Sequence, residues 1–167
     1  MPEISASFPN TWNYDKALGM SSKDIGKCWD FINDPETRFW QNLPCLDGAF
    51  EFLNALADLP DHVDLYFVTA RSGATAKAQT ERWLDANGLG VRWNPPTVLI
   101  SKEKGEVAHA LDLHLYIDDK DENCVDVRVK SPSTKCYQLN QPWNHAQTNI
   151  IMIDTLSQFL NVVKESL

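Results

Sequence analysis

The sequence predicts an α/β fold built on a mostly parallel sheet. Three observations lead there. From residue 63 onward, short apolar runs rich in β-branched residues alternate with helical segments through short loops. The run Leu65-Tyr66-Phe67-Val68 is continuously apolar, the pattern of a strand covered on both faces. The chain has 167 residues, 43% hydrophobic and 23% charged, which suits one soluble globular domain with a sizeable core.

The elements follow in order. Residues 1–47 are rich in Trp, Asn, Pro and Ser and carry one helix, capped by Ser22, with Ile25, Trp29 and Ile32 at spacings that share a face. After Asp34-Pro35 the segment RFWQNLPCLDGA reads as loop, and Gly48 opens a helix through Leu59 with apolar Phe50, Leu53, Leu56 and Leu59. A strand over 63–68 leads into a helix from Ala74 to Asn87, closed by Gly88 in the left-handed position after the last turn. Thr97–Ile100 is the next strand, Glu103–Leu111 the next helix and Leu113–Ile117 the third strand. A weak helix falls around Asn123–Val127, Lys135–Leu139 is a fourth strand, and Asp154 caps a closing helix through Val163.

Composition narrows the function. Fifteen Lys and Arg against 23 Asp and Glu leave a formal charge of −8, the wrong sign for binding double-stranded nucleic acid through its phosphates. No apolar run approaches the length of a membrane span, and the first ten residues lack the basic and apolar regions of an export signal. Cys28, Cys45, Cys124 and Cys136 are scattered, and His62, His109, His114 and His145 complete no zinc pattern around them. The expectation is four reduced, mostly buried thiols in a cytoplasmic protein.

In an open parallel sheet, ligands bind beyond the carboxyl ends of the strands. Those ends carry Thr69-Ala70-Arg71-Ser72-Gly73, Ser101-Lys102-Glu103-Lys104-Gly105 and Asp118-Asp119-Lys120-Asp121. A hydroxyl beside helix-start amides, together with an ammonium from Lys102 or Lys104, can hold phosphate oxygens. Adjacent carboxylates suit a hard cation such as Mg²⁺, which takes few protein oxygens and fills its shell with water and substrate phosphate. Each feature also has a plainer structural role, as a helix cap, a solvated lysine or an acidic turn.

In order and spacing, these features resemble motifs II, III and IV of the haloacid dehalogenase superfamily of phosphohydrolases. The stretches FWQNLPCLDGAFEFLNAL, LYFVTARSG, ERWLDANGL, TVLISKEKGEVA and LYIDDKDENC are similar to 5′(3′)-deoxyribonucleotidases and related nucleotidase-like proteins, and they span Phe39 to Cys124, half of the chain. The resemblance implies a three-layer sandwich around a Rossmann-like, mostly parallel sheet. It implies a single domain over 1–167, with a degenerate first strand in 1–8, a small helical cap in 9–47 and the core in 48–167. It also implies Mg²⁺-dependent hydrolysis of a nucleotide or another small phosphate ester. On it, Thr69 and Lys104 are catalytic, Thr69, Ala70, Arg71 and Lys104 bind phosphate, and Asp118 and Asp119 serve Mg²⁺. Lys104 is preferred to Lys102 because it lies at the helix start, where the family places its lysine. The cap aromatics Trp12, Tyr14, Trp29, Phe31 and Trp40 either stack a base or form the core of the cap.

The family's nucleophile and acid/base pair, Asp-x-Asp at the end of the first strand, has no counterpart upstream of the cap. The strand candidate Pro2-Glu3-Ile4-Ser5-Ala6-Ser7-Phe8 puts Ser5 and Ser7 in those degenerate positions. A serine without a base is a poor nucleophile, and an aspartyl-phosphate needs the carboxylate itself. Two readings therefore stand beside each other: a phosphohydrolase impaired by the missing aspartate, and a catalytically inactive phosphate-binding or regulatory protein on the same fold. A third is an interaction module without a ligand. PEISASF is also thin for a central strand, which leaves three options: it fills the central slot, the slot is filled differently, or the natural chain begins earlier.

Overall fold

The computed structural model describes residues 16, 18–89, 94–144 and 149–167, and within them the α/β alternation is present. β1 (Tyr66–Thr69) pairs with β2 (Thr97–Ile100), Tyr66 opposite Thr97 and Thr69 opposite Ile100. A second sheet runs β3 (Leu115–Asp118), β4 (Lys135–Leu139), β5 (Ile151–Ile153), with Asp118 opposite Gln138 and Gln138 opposite Met152. Every pairing is parallel, and helices connect β1 to β2 and β3 to β4, as parallel crossovers require.

Local chemistry sets the helix ends. α1 (Ser22–Asn33) is capped by Ser21, whose hydroxyl accepts from the Asp24 amide. The chain then turns through Asp34 into short 3₁₀ turns at Pro35–Thr37 and Trp40–Asn42. α2 (Ala49–Ala57) starts after Gly48, which takes a left-handed φ of 74°. α3 (Ala76–Leu84) widens into one π-type turn over Asp85–Leu89. Gly88 in that turn has φ 116°, and a Cβ there would lie 2.6 Å from Asn54 Oδ1. α4 (Lys104–Ala110) and α5 (Asp121–Lys130) flank β3, and α6 (Leu156–Glu165) closes the chain.

Two apolar clusters lie on opposite faces of β3 and β4. Leu53 and Leu56 of α2, Leu84 of α3 and Phe159 and Val163 of α6 pack on Val98, Tyr137, Leu139 and Ile153. Ala108 of α4 and Cys124 and Val127 of α5 pack on Tyr116 and Cys136. Alternation along a strand sends neighbouring side chains to opposite faces, so Tyr116 and Cys136 meet α5 while Tyr137 and Leu139 meet α2 and α6. α4 and α5 are also locked by polar contacts. The Gly105 amide donates to Asp126 Oδ2 at 2.7 Å, and a Cβ on Gly105 would lie 2.5 Å from the Asp126 carbonyl oxygen. The approach requires glycine.

The structure corrects several expectations. The first helix is capped by Ser21 rather than Ser22, and none of its residues is buried. Phe50, read as core-facing, is 52% exposed. The strand read over 63–68 is Tyr66–Thr69, and all four residues are half-buried rather than buried. The reason is that no described strand pairs with β1 on the side away from β2. The helix around Asn123–Val127 is ten residues long. The cap of the last helix is Thr155, one residue beyond Asp154; its hydroxyl accepts from the Gln158 amide while the Gln158 side chain returns to the Thr155 amide. Strand β5 has no counterpart among the elements expected from the sequence. The four cysteines are free as expected, but Cys28 is exposed and Cys45 half-buried. No helix among the described residues is long and apolar enough to cross a membrane. Ser5, Ser7, Trp12, Tyr14 and His145 lie outside the described residues.

Candidate functional site

Thr69 ends β1, and its hydroxyl accepts from the Arg71 amide at 3.4 Å, folding the chain over the strand end. The following loop is held from the N-terminal segment. Ser72 Oγ donates to Asn33 Oδ1 at 2.7 Å and the Trp40 indole donates to the Ser72 carbonyl at 2.9 Å. The Trp40 amide in turn donates to Gln79 Oε1 at 3.0 Å. Asn33 and Trp40 of the N-terminal segment thus dock on the loop that follows Thr69. Phe31, Phe39 and Trp40 meet edge to face there, while Trp29 remains exposed.

Arg71 packs between the helix that follows its loop and the N-terminal segment. Its guanidinium donates to Thr80 Oγ1 at 2.9 Å and lies 5.2 Å from the centre of the Trp40 ring. Burial lowers its pKa, and its contacts pin α3 to Trp40 of the N-terminal segment. Ala70 is exposed.

Lys104 is the first residue of α4 and is only 3% exposed. Its Nζ donates to the carbonyls of Val68 and Ser101, both at 2.8 Å. The Leu65 and Thr69 carbonyls accept from β2-side amides, those of Thr97 and Ser101. By alternation, the Val68 carbonyl faces the opposite edge of β1. Lys104 therefore reaches past β1, and it feels the charge of Asp118 at the end of β3. Burial lowers its pKa and Asp118 partly restores it. Lys102 is exposed, so of the two lysines Lys104 is the one at the strand ends.

Asp118 and Asp119 close the constellation. Asp118 Oδ2 accepts from Tyr116 Oη at 2.6 Å and Asn123 Nδ2 at 3.0 Å, and Oδ1 accepts from the Lys120 amide at 2.8 Å. Tyr116 is pushed upward in pKa by burial and then by Asp118, so its hydroxyl stays a donor. Asp119 is gripped by the loop after β4: Trp143 Nε1 donates to its carboxylate at 3.1 Å, and Asn144 Nδ2 bridges the Asp119 carbonyl at 2.6 Å and the Leu139 carbonyl at 2.5 Å. Burial, and then the charge of Asp118, pushes the Asp119 carboxyl up to about 6.

That shift has a testable sign. In the unfolded chain an aspartate titrates near ~4. Between about pH 4 and 6 the folded protein holds a proton that the unfolded chain has lost, so the pair removes stability as pH rises through that window. Asp119→Asn keeps an acceptor for Trp143 and deletes the charge. The variant is expected to gain Tm relative to the unmodified protein at pH 7 and to lose that advantage at pH 4. An equal difference at both pH values would exclude the linkage.

Among the described residues, no three His, Cys, Asp or Glu side chains gather as a metal site. A cation here would rest on Asp118 and Asp119 and complete its shell with water and ligand oxygens, as Mg²⁺ characteristically does. Two adjacent carboxylates at the end of β3 are hard oxygen donors, the donor type that such an ion takes. The structure brings the ends of β1 and β3 into electrostatic contact through Lys104. It diverts Arg71. Sequence reading missed Tyr116, Asn123, Trp143 and Asn144, whose roles depend on contacts across the fold. Compared with protein-family models and with curated proteins, the chain matches no family model and no curated protein.

Proposed function

We propose that the chain is a haloacid dehalogenase-like phosphohydrolase domain whose site takes a nucleotide or another small phosphate ester. The observation that carries this reading is Lys104, a buried ammonium held at the Val68 carbonyl within the field of Asp118. An amine that gives up solvent at the strand ends, within the field of a carboxylate, is suited to an anion and its counter-cation. The Thr69 hydroxyl and the amides of its loop would donate to phosphate oxygens, and Lys104 would neutralise their charge. Asp118 and Asp119 would hold Mg²⁺, which supplies further charge neutralisation when bound. Trp143 and Asn144 orient Asp119 for that role.

The proposed architecture is one three-layer sandwich with a helical cap, its sheet ordered β2-β1-slot-β3-β4-β5. Two facts support it: β1 and β3 each have a partner strand on one side only among the described residues, and both sheets contribute to the same apolar cluster. The slot is where a first strand such as Pro2–Phe8 would lie. The proposed setting is the cytoplasm, consistent with the acidic composition and free cysteines.

Ser5 and Ser7, where the resemblance requires two aspartates, favour a second reading: binding or regulation without turnover. Calorimetric titration with inorganic phosphate and with nucleoside monophosphates, each with and without Mg²⁺, tests both readings when paired with a phosphate-release assay. Turnover supports the hydrolase. Saturable Mg²⁺-assisted binding without release supports the second reading. No binding in any arm removes both.

A further inference from the structure

Gln138 lies in the middle strand of the three-stranded sheet and is fully buried, at 0% exposure. Among the described residues its Oε1 and Nε2 have no hydrogen-bond partner. A buried carboxamide gives up its water, and without replacement partners it weighs against folding. An apolar side chain of similar length would fill the same space without that cost. The position therefore calls for a ligand.

Its surroundings indicate which. Cys136, two residues earlier, packs on the α5 side, so alternation sends the Gln138 side chain to that side as well. Asp118 is its register partner on β3, and the contacts of Asp118 with Tyr116 and Asn123 place that carboxylate on the same side. Paired residues of adjacent strands stand side by side. Asp118 presents about four lone-pair directions, and three are taken by Tyr116, Asn123 and Lys120. The half-buried Asp118 connects the orphaned amide to the cation site.

We propose that Gln138 is a positioning residue for a hydrated divalent cation held at Asp118 and Asp119. Its Oε1 accepts a hydrogen bond from a water of the cation's shell and its Nε2 donates to a second ordered water, which leaves the remaining direction of Asp118 for the cation. A hydrated Mg²⁺ or Mn²⁺ keeps several waters whose protons need acceptors, and a neutral amide supplies one without adding to the charge of the pair. The proposal rests on the cation reading of Asp118 and Asp119.

The test is Gln138→Met, which keeps length and removes both polar atoms. Without metal, the variant is expected to melt about 2–4 °C above the unmodified protein, the shift that loss of one modest unfavourable burial gives in a chain of this size. Its affinity for Mn²⁺, read from the EPR signal of the free ion, is expected to fall about 10-fold, as for other residues that act through a ligand's neighbour. A variant that melts lower or fails to fold overturns the proposal, because the amide then has a structural partner. Higher Tm with unchanged Mn²⁺ affinity also overturns it, since the orphaned amide then serves no ion. Failure of the unmodified protein to bind Mn²⁺ overturns the cation reading itself and is seen before any variant is made.

Discussion

Replacing both N-terminal serines, Ser5→Asp with Ser7→Asp, is expected to create Mg²⁺-dependent phosphate release from nucleoside monophosphates, raised by about 10⁴ or more over the unmodified protein. The magnitude follows from covalent enzymes, where loss of nucleophile and base together removes about 10⁴–10⁶ of the rate. The first aspartate would attack phosphorus and the second would protonate the leaving oxygen. The remaining parts, Thr69, Lys104, Asp118 and Asp119, are already present at the strand ends. Adding Asp118→Asn to the double variant should abolish the gain, because an activity that relies on the acidic pair cannot survive its loss. Robust turnover by the unmodified protein would place the nucleophile elsewhere, and the binding-only reading would be dropped.

Lys104→Met is expected to weaken phosphate binding by about 100-fold, in line with the roughly 1.5–3 kcal/mol of a hydrogen bond to a charged partner. It is also expected to lower stability by about 1–3 kcal/mol, because the Val68 and Ser101 carbonyls lose their shared donor. Lys104→Arg should not restore binding, since the planar guanidinium cannot occupy the same closed position as an ammonium. Lys102→Met, on an exposed side chain, should leave both quantities unchanged. Calorimetry with inorganic phosphate and urea unfolding read the two effects separately. Equal behaviour of the Lys102 and Lys104 variants would remove Lys104 from the site.

The strands that were easiest to read are those whose chemistry is local. Thr97–Ile100 and Lys135–Leu139 have in the fold the bounds that their residue types suggest. The sequence does not mark β5, because a three-residue strand with two of its residues exposed carries almost no pattern. The sequence marks only Asn123–Val127 of α5 because Asp121–Lys130 has little apolar periodicity: Cys124 and Val127 are buried, but Val125 and Val129 face solvent. The caps at Ser21 and Thr155 differ from the expected neighbours by one residue each. Adjacent polar residues compete for such a position, and the backbone angles decide between them.

The sequence by itself determined the α/β class, the parallel connections, and the placing of Thr69, Lys104, Asp118 and Asp119 at or just beyond strand ends. These depend on periodicity and on spacing of a few residues, which a linear chain displays directly. Tertiary structure alone decided which lysine is buried, that Arg71 turns to Thr80 and Trp40, and that Trp143 and Asn144 grip Asp119 from the loop after β4. It also decided that β1 is only half-buried and that Gln138 carries an amide without a partner. The physical reason is range. Burial and desolvation are set by atoms that are neighbours in space and distant along the chain, and no local pattern of residues encodes which of them will meet.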